Sequence, residues 1–173
     1  MVKIIADTTS GLPGKVLETL GIVLIPNIVI FGEESFRDDT ELDTATFLAK
    51  LRSSHQLPKT AAPPPNLYYP HFEDAQKNHE DVIVIAPSAR VSGTGNSAQV
   101  AAKDFTNVNI HVIDSQTVAG NLATLVLLAH QWAEQGNSGD EIVKKLNEWI
   151  PRCRTYFLVY TLEYLQRGGR IGG

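Results

Sequence analysis

Four short runs of the chain, "VKIIA" (2–6), "GIVLIPNIVIF" (21–31), "DVIVIA" (81–86) and "NIHVID" (109–114), are rich in Ile and Val and carry little polar alternation. Runs of this kind are strands buried on both faces, because a strand with one wet face would alternate apolar and polar residues. Helical patterns separate them. Pro13 to Leu20 ends at Gly21, a suitable glycine just past a helix end, and Asp43 to Arg52 has an acidic cap and apolar Phe47, Leu48 and Leu51. Ala98, Ala101, Ala102 and Phe105 recur at helical spacing, so that helix offers a thin, small-residue face to the sheet. Leu122 to Gln135 forms an apolar helix closed by Gly136. "SGDE" (138–141) has capping-box spacing ahead of Ile142, Leu146 and Trp149, and Pro151 ends that helix. "TYFLVYT" (155–161) reads as a fifth strand. Near Pro70 another helix begins, since proline is tolerated in a first turn and not in a helix interior. Strands alternating with helices imply right-handed crossovers, hence an α/β, Rossmann-like, mainly parallel sheet with helices on both faces.

The composition narrows the function. The chain has 173 residues, 43% of them hydrophobic, enough for a substantial core. Fifteen basic residues against nineteen acidic ones give a net charge of −4, with no basic stripe, so nucleic acid is not an expected partner. Cys153 is the one cysteine, which excludes an intrachain disulfide or a cysteine metal cluster. The five histidines show no metal-ligand spacing and read as surface or internally satisfied groups. Trp132 and Trp149 read as core. No apolar stretch is long enough for a membrane span and the opening residues lack a signal sequence, so a cytoplasmic location is expected.

In an open parallel sheet, ligands bind outside the carboxyl ends of the strands. Those ends carry Asp7, Thr8, Thr9 and Ser10, then Ser88 and the "VSGTGNS" turn (91–97), then Asp114 and Ser115, all expected on one rim. Gly93 and Gly95 allow close backbone approach, a helix starting there leaves free N–H groups, and Ser92 and Thr94 add hydroxyls. The turn therefore suits a single carboxylate or phosphate, or else its hydroxyls only cap the helix. It has no P-loop lysine and no dinucleotide fingerprint. Asp7, Asp114 and Ser115 read as groups that order their turns.

The segments "IIADTTSGLP", "SFRDD", "LPKT", "IAPSARVSGTGNSAQVAA", "VIDSQTVAGN" and "TLEYLQRGGRIGG" resemble, in order and spacing, the DegV family of bacterial fatty-acid-binding proteins. The likeness covers essentially the whole chain, and the Ser-Gly-Thr turn and Gly-Gly-Arg-Ile are its more specific pieces. It implies a two-domain α/β protein that holds one long-chain fatty acid, needs no cofactor or metal and is not itself an enzyme. Such a protein presents the fatty acid carboxylate to a separate fatty acid kinase, which makes an acyl phosphate for phospholipid synthesis. By this likeness Thr60 and Ser92 hydrogen-bond the carboxylate, Gly93 and Thr94 support the same helix end, and Arg170 contributes electrostatically. The chain departs from the family at Ala61, Ala62 and Pro63, where Ser-Gln-Pro is usual, and at Gly95 and Asn96, where Tyr-Gln is common. Family members continue for roughly another hundred residues, a domain-sized length. Residues 1–160 are accordingly expected to form the N-terminal domain and residues 161–173 the start of a second, truncated one, with an apolar strip left open beside the rim. Two other readings come from the residues: a hydrolase or phosphatase using Ser92 or Asp7, and a regulatory or scaffold protein stabilised by its ligand.

Overall fold

The structure, a computed structural model, describes residues 1–54 and 56–171. His55 and the final Gly172 and Gly173, included in the expectations above, lie outside the described residues. The chain begins with strand β1 (Val2–Asp7), helix α1 (Gly14–Thr19) and strand β2 (Val23–Ile25). A smaller excursion follows, with β3 (Ile28–Phe31), β4 (Glu34–Arg37), α2 (Thr44–Ser53) and β5 (Lys59–Ala61). The main body resumes with α3 (Tyr69–Asn78), β6 (Asp81–Ala86), α4 (Thr94–Ala102), β7 (Ile110–Asp114), α5 (Ala119–Glu134) and α6 (Gly139–Trp149), and a short α7 (Glu163–Arg167) lies near the end.

β2, β1, β6 and β7 form, in that order, a four-stranded sheet in which every pairing is parallel. The period of two sends alternate side chains to opposite faces. Ile4, Ala6, Ile83 and Ile85 pack with Leu17 of α1, Leu122, Leu125 and Val126 of α5, and Ile142 and Leu146 of α6. Ile5, Val82 and Val84 pack on the other side with Phe72 and Ala75 of α3 and Ala98 and Ala101 of α4. Each fully buried Ile or Leu contributes about 1.5–3 kcal/mol, so this sandwich is the main source of stability.

Right-handed connections explain which helix lies where. The β1 to β2 step runs one way along the sheet with α1 on one face, and the β6 to β7 step runs the other way with α4 on the opposite face. The order reverses between β1 and β6, and open α/β sheets bind ligands outside the carboxyl ends of the strands at such a reversal.

The helix signals read from the sequence are present. Asp43 accepts from the Thr46 N–H, Ser138 and Glu141 form a capping box, and Gly21 and Gly136 take positive φ at helix ends. Pro70 sits in the first turn of α3. Three expectations are corrected. The run 21–31 is two strands in two sheets, because Pro26 and Asn27 turn the chain out of the parallel sheet; β3 pairs antiparallel with β4 and β5 over Val29, Phe31 and Leu42. Residues 155–161 form no strand, since no neighbouring strand is there to pair with among the described residues. Trp149 is 40% exposed at the edge of the core, where it meets Trp132.

Candidate functional site

Parallel pairing brings the carboxyl ends of β1, β6 and β7 to one rim, as their sequence predicts: Ala6 lies opposite Ile85, and Ala86 opposite Asp114. Asp7 is the centre of that rim. It is 2% exposed and accepts hydrogen bonds from Thr9 N–H (3.2 Å), Thr9 Oγ1 (2.5 Å), Asn27 Nδ2 (3.1 Å) and Thr94 Oγ1 (3.3 Å). Burial pushes its carboxyl above the ordinary range, and those hydrogen bonds pull partly the other way. Nearby, Asp38 accepts from Thr8 Oγ1 (2.6 Å) and from the Asn27 N–H (2.8 Å). Burial raises its carboxyl too, opposed by the hydrogen bonds from Thr8 and Asn27 and aided by the charges of Asp39 and Asp7.

The glycine turn continues this network. Ser92 Oγ and Thr94 Oγ1 are 2.9 Å apart, and Ser92 Oγ also accepts from the Thr94 N–H at 3.2 Å. Gly93 precedes the first residue of α4, whose ladder opens with Ser97 N–H donating to the Gly93 carbonyl at 3.0 Å. Among the described residues, the backbone N–H groups of Gly93, Gly95 and Asn96 have no partner. They stand at the positive end of the helix dipole. A side chain at Gly95 would meet Ala86 at 3.4 Å and one at Gly93 would meet Ala62 at 3.5 Å, so the turn is pressed between β6 and the segment after β5. Ser97 Oγ donates to the Pro63 carbonyl and ties the same two segments together.

That contact brings the small sheet to the rim. Thr60 lies on β5 opposite Val29, two residues before Ala62, and receives Arg170 Nη2 at 3.4 Å. Thr60, Gly93 and Arg170 are exposed, Ser92 is half-buried and Thr94 is buried. The exposed stretch before Arg170 starts at the opposite side of the rim, where Thr155 Oγ1 meets Thr117 Oγ1 at 2.6 Å and Asn121 Nδ2 at 2.8 Å. Between those two anchors Leu158 and Tyr160 are fully exposed and Leu162 and Tyr164 more than half exposed.

The remaining candidates order the scaffold. Asp114 accepts from the Ala89 and Gln116 N–H groups at 3.2 and 2.9 Å, which links the loops after β6 and β7, and Ser115 is fully buried. Among the described residues no three His, Cys, Asp or Glu side chains converge as for a metal, and no helix is long and apolar enough to cross a membrane. A cleft of about 350 Å³ lies on the small lobe instead, between Phe31, Glu34 and Lys50; its charged, open lining does not suit an acyl chain.

Sequence reasoning missed Asn27 and Asp38. Pro26-Asn27 inside an apolar run is a break signal, and it places an amide on Asp7.

A family model, that of the uncharacterised DegV-family proteins, matches residues 1–173. The chain belongs to the DegV family. It is 32% identical to Protein DegV of Bacillus subtilis over 171 residues, 98% of this chain and 61% of that protein. The crystal structure of DegV from Bacillus subtilis, a fatty acid binding protein, superposes with a TM-score of 0.91 at 32% identity over 98% of this chain and 60% of that one. A DegV-family protein from Thermus thermophilus, described for its fatty acid binding, gives 0.87 at 30% identity over 99% and 61%. A stearic acid-binding protein from Eubacterium ventriosum gives 0.88 at 29% identity over 99% and 61%. The chain thus spans about three fifths of the length of these DegV relatives.

Proposed function

We propose that this protein binds a long-chain fatty acid, with the carboxyl group held at the rim by Thr60, Ser92 and the α4 end formed by Gly93 and Thr94, and with Arg170 adding positive charge. The observation that carries this reading is the group of donors collected at the start of α4. N–H groups at the start of α4 that have no partner among the described residues and the Ser92 and Thr94 hydroxyls adjoin the segment after β5, where Gly93 lies against Ala62 and Thr60 receives Arg170. The chain is 32% identical to a fatty acid binding DegV protein in which the same fold occurs. An exposed apolar stretch, 156–164, borders the rim and suits the tail side of such a site.

The protein acts as a carrier in the cytoplasm. It presents the carboxylate to a fatty acid kinase, which forms the acyl phosphate; the chain's own residues bind and orient the substrate. Ser92 has Thr94 as its side-chain partner rather than an imidazole, and the Asp7 oxygens are occupied by four hydrogen bonds, which favours carriage over hydrolysis. Residues 1–160 form the N-terminal domain and residues 161–173 begin a second one, which closes over the tail.

Denaturing mass spectrometry of the purified full-length protein tests the reading, with a co-purifying fatty acid as the expected result. A hydrogen bond to a charged oxygen contributes about 1.5–3 kcal/mol, so Ser92→Ala weakens fatty acid binding by about tenfold or more. Acyl phosphate production with the kinase falls in parallel. Unchanged affinity and unchanged acyl phosphate in the Thr60→Ala, Ser92→Ala double variant remove these residues from the site.

A further inference from the structure

The hydroxyl relay at the rim has a direction. A hydroxyl has one proton to give, and an ionised carboxylate has none. With Asp7 ionised, the 3.3 Å contact to Asp7 Oδ2 uses the Thr94 hydroxyl proton. The 2.9 Å contact between Ser92 and Thr94 is then made with the Ser92 proton, while Ser92 Oγ accepts from the Thr94 N–H. Ser92 therefore faces the rim with a lone pair, and a lone pair repels a carboxylate.

Charge points the same way. The titratable groups that face Asp7 are Asp38, from the loop after β4, and the buried hydroxyl of Tyr68, the residue before α3, which has no partner among the described residues and is kept neutral by burial and by the Asp7 charge. The first turns of α5, packed on the 8–10 turn, carry no charged residue. Among the described residues no cation pairs with Asp7; Arg37, beside Asp38, pairs with Asp39, and Arg170 reaches Thr60. A ligand carboxylate would add a further negative charge beside the buried Asp7 and the half-buried Asp38.

We propose that Asp7 couples binding of the ligand carboxyl to uptake of one proton through Thr94 and Ser92. In one arrangement the proton sits on Asp7, which donates to Thr94; Thr94 donates to Ser92, and Ser92 to the carboxylate. In the other the ligand is the neutral acid and donates to Ser92, with the relay running toward Asp7. Both hold the same number of protons, and solvent supplies the one gained. The raised Asp7 pKa makes this uptake accessible at a smaller cost than at an exposed carboxyl. Asp7 acts as a positioning residue that sets what Ser92 can offer. The inference rests on the fatty acid reading.

The test is calorimetric titration of the full chain with laurate, kept monomeric, in two buffers of different ionisation enthalpy between about pH 6 and 9, where the free acid is ionised. The expected result is uptake of about one proton per laurate and an affinity that falls about tenfold per pH unit. Asp7→Asn supplies a permanent amide donor in place of the proton, so it should bind with no uptake and a flat pH profile. Wild-type binding with no proton uptake overturns the proposal whether or not the variant folds, as does an Asp7→Asn protein that still takes up the proton. Absence of any wild-type binding overturns the fatty acid reading and this one with it.

Discussion

Residues 81–86 and 155–161 look alike in composition: "DVIVIA" and "TYFLVYT" are both short, apolar and rich in branched or aromatic side chains. In the fold, residues 82–86 are each at most 2% exposed between two pairing strands, while Leu158 is 101% and Tyr160 106% exposed with no pairing strand among the described residues. The first is held by β1 and β7 and covered by helices on both faces. A β-prone sequence becomes a strand when neighbours offer both hydrogen bonds and cover, which composition does not encode.

The strongest way to break this contrast is by truncation. Ile85→Ala removes a fully buried side chain and should lower stability by about 2–5 kcal/mol in urea unfolding. A loss below about 1 kcal/mol would mean that the β6 core is looser than its packing indicates. A subtler test sits in the same buried body. The Tyr68 hydroxyl is buried without a partner among the described residues, so Tyr68→Phe should raise stability by about 1 kcal/mol, read as a higher urea midpoint at constant slope. A lower midpoint would show that the hydroxyl has a partner. The smallest effect belongs to the exposed run: Leu158→Ala in the 173-residue chain should change stability by less than about 0.5 kcal/mol. A cost comparable to that of Ile85→Ala would mean that the run is covered, and the two segments would cease to differ.

The same contrast marks what was legible in the sequence. β1, β6 and β7 follow from runs rich in Ile and Val, although β7, at the sheet edge, is mostly half-buried where its sequence predicts burial on both faces, and the caps at Asp43 and Ser138 follow from side chains that bond three residues ahead. Such signals are local. The small antiparallel sheet was not legible, because β4 and β5 are short and polar and exist through pairing with β3. At the site, the Ser92 and Thr94 turn could be read as an anion seat from its own residues, whereas Thr60 and Arg170 entered through family likeness. Their meeting joins residues 110 positions apart, which no local pattern carries. Asn27 and Asp38 were missed for the same reason: their roles come from Asp7 at the end of β1 and Thr8 just after it, far away in the sequence.

The junction at Pro26 and Asn27 has a mechanical consequence. The chain leaves one sheet at Ile25 and enters the other at Ile28, and Asn27 in between is fastened to Asp7 and Thr8 through its amide and to Asp38 through its backbone. Thr60 is hydrogen-bonded into register with Val29, only two residues beyond that fastening. The small sheet is thus a short lever with its fulcrum on the carboxylate that also holds Thr94. A shift that carries Thr60 toward or away from Ser92 must strain Asn27 first, so the spacing across the rim is set by the stiffness of a two-residue joint.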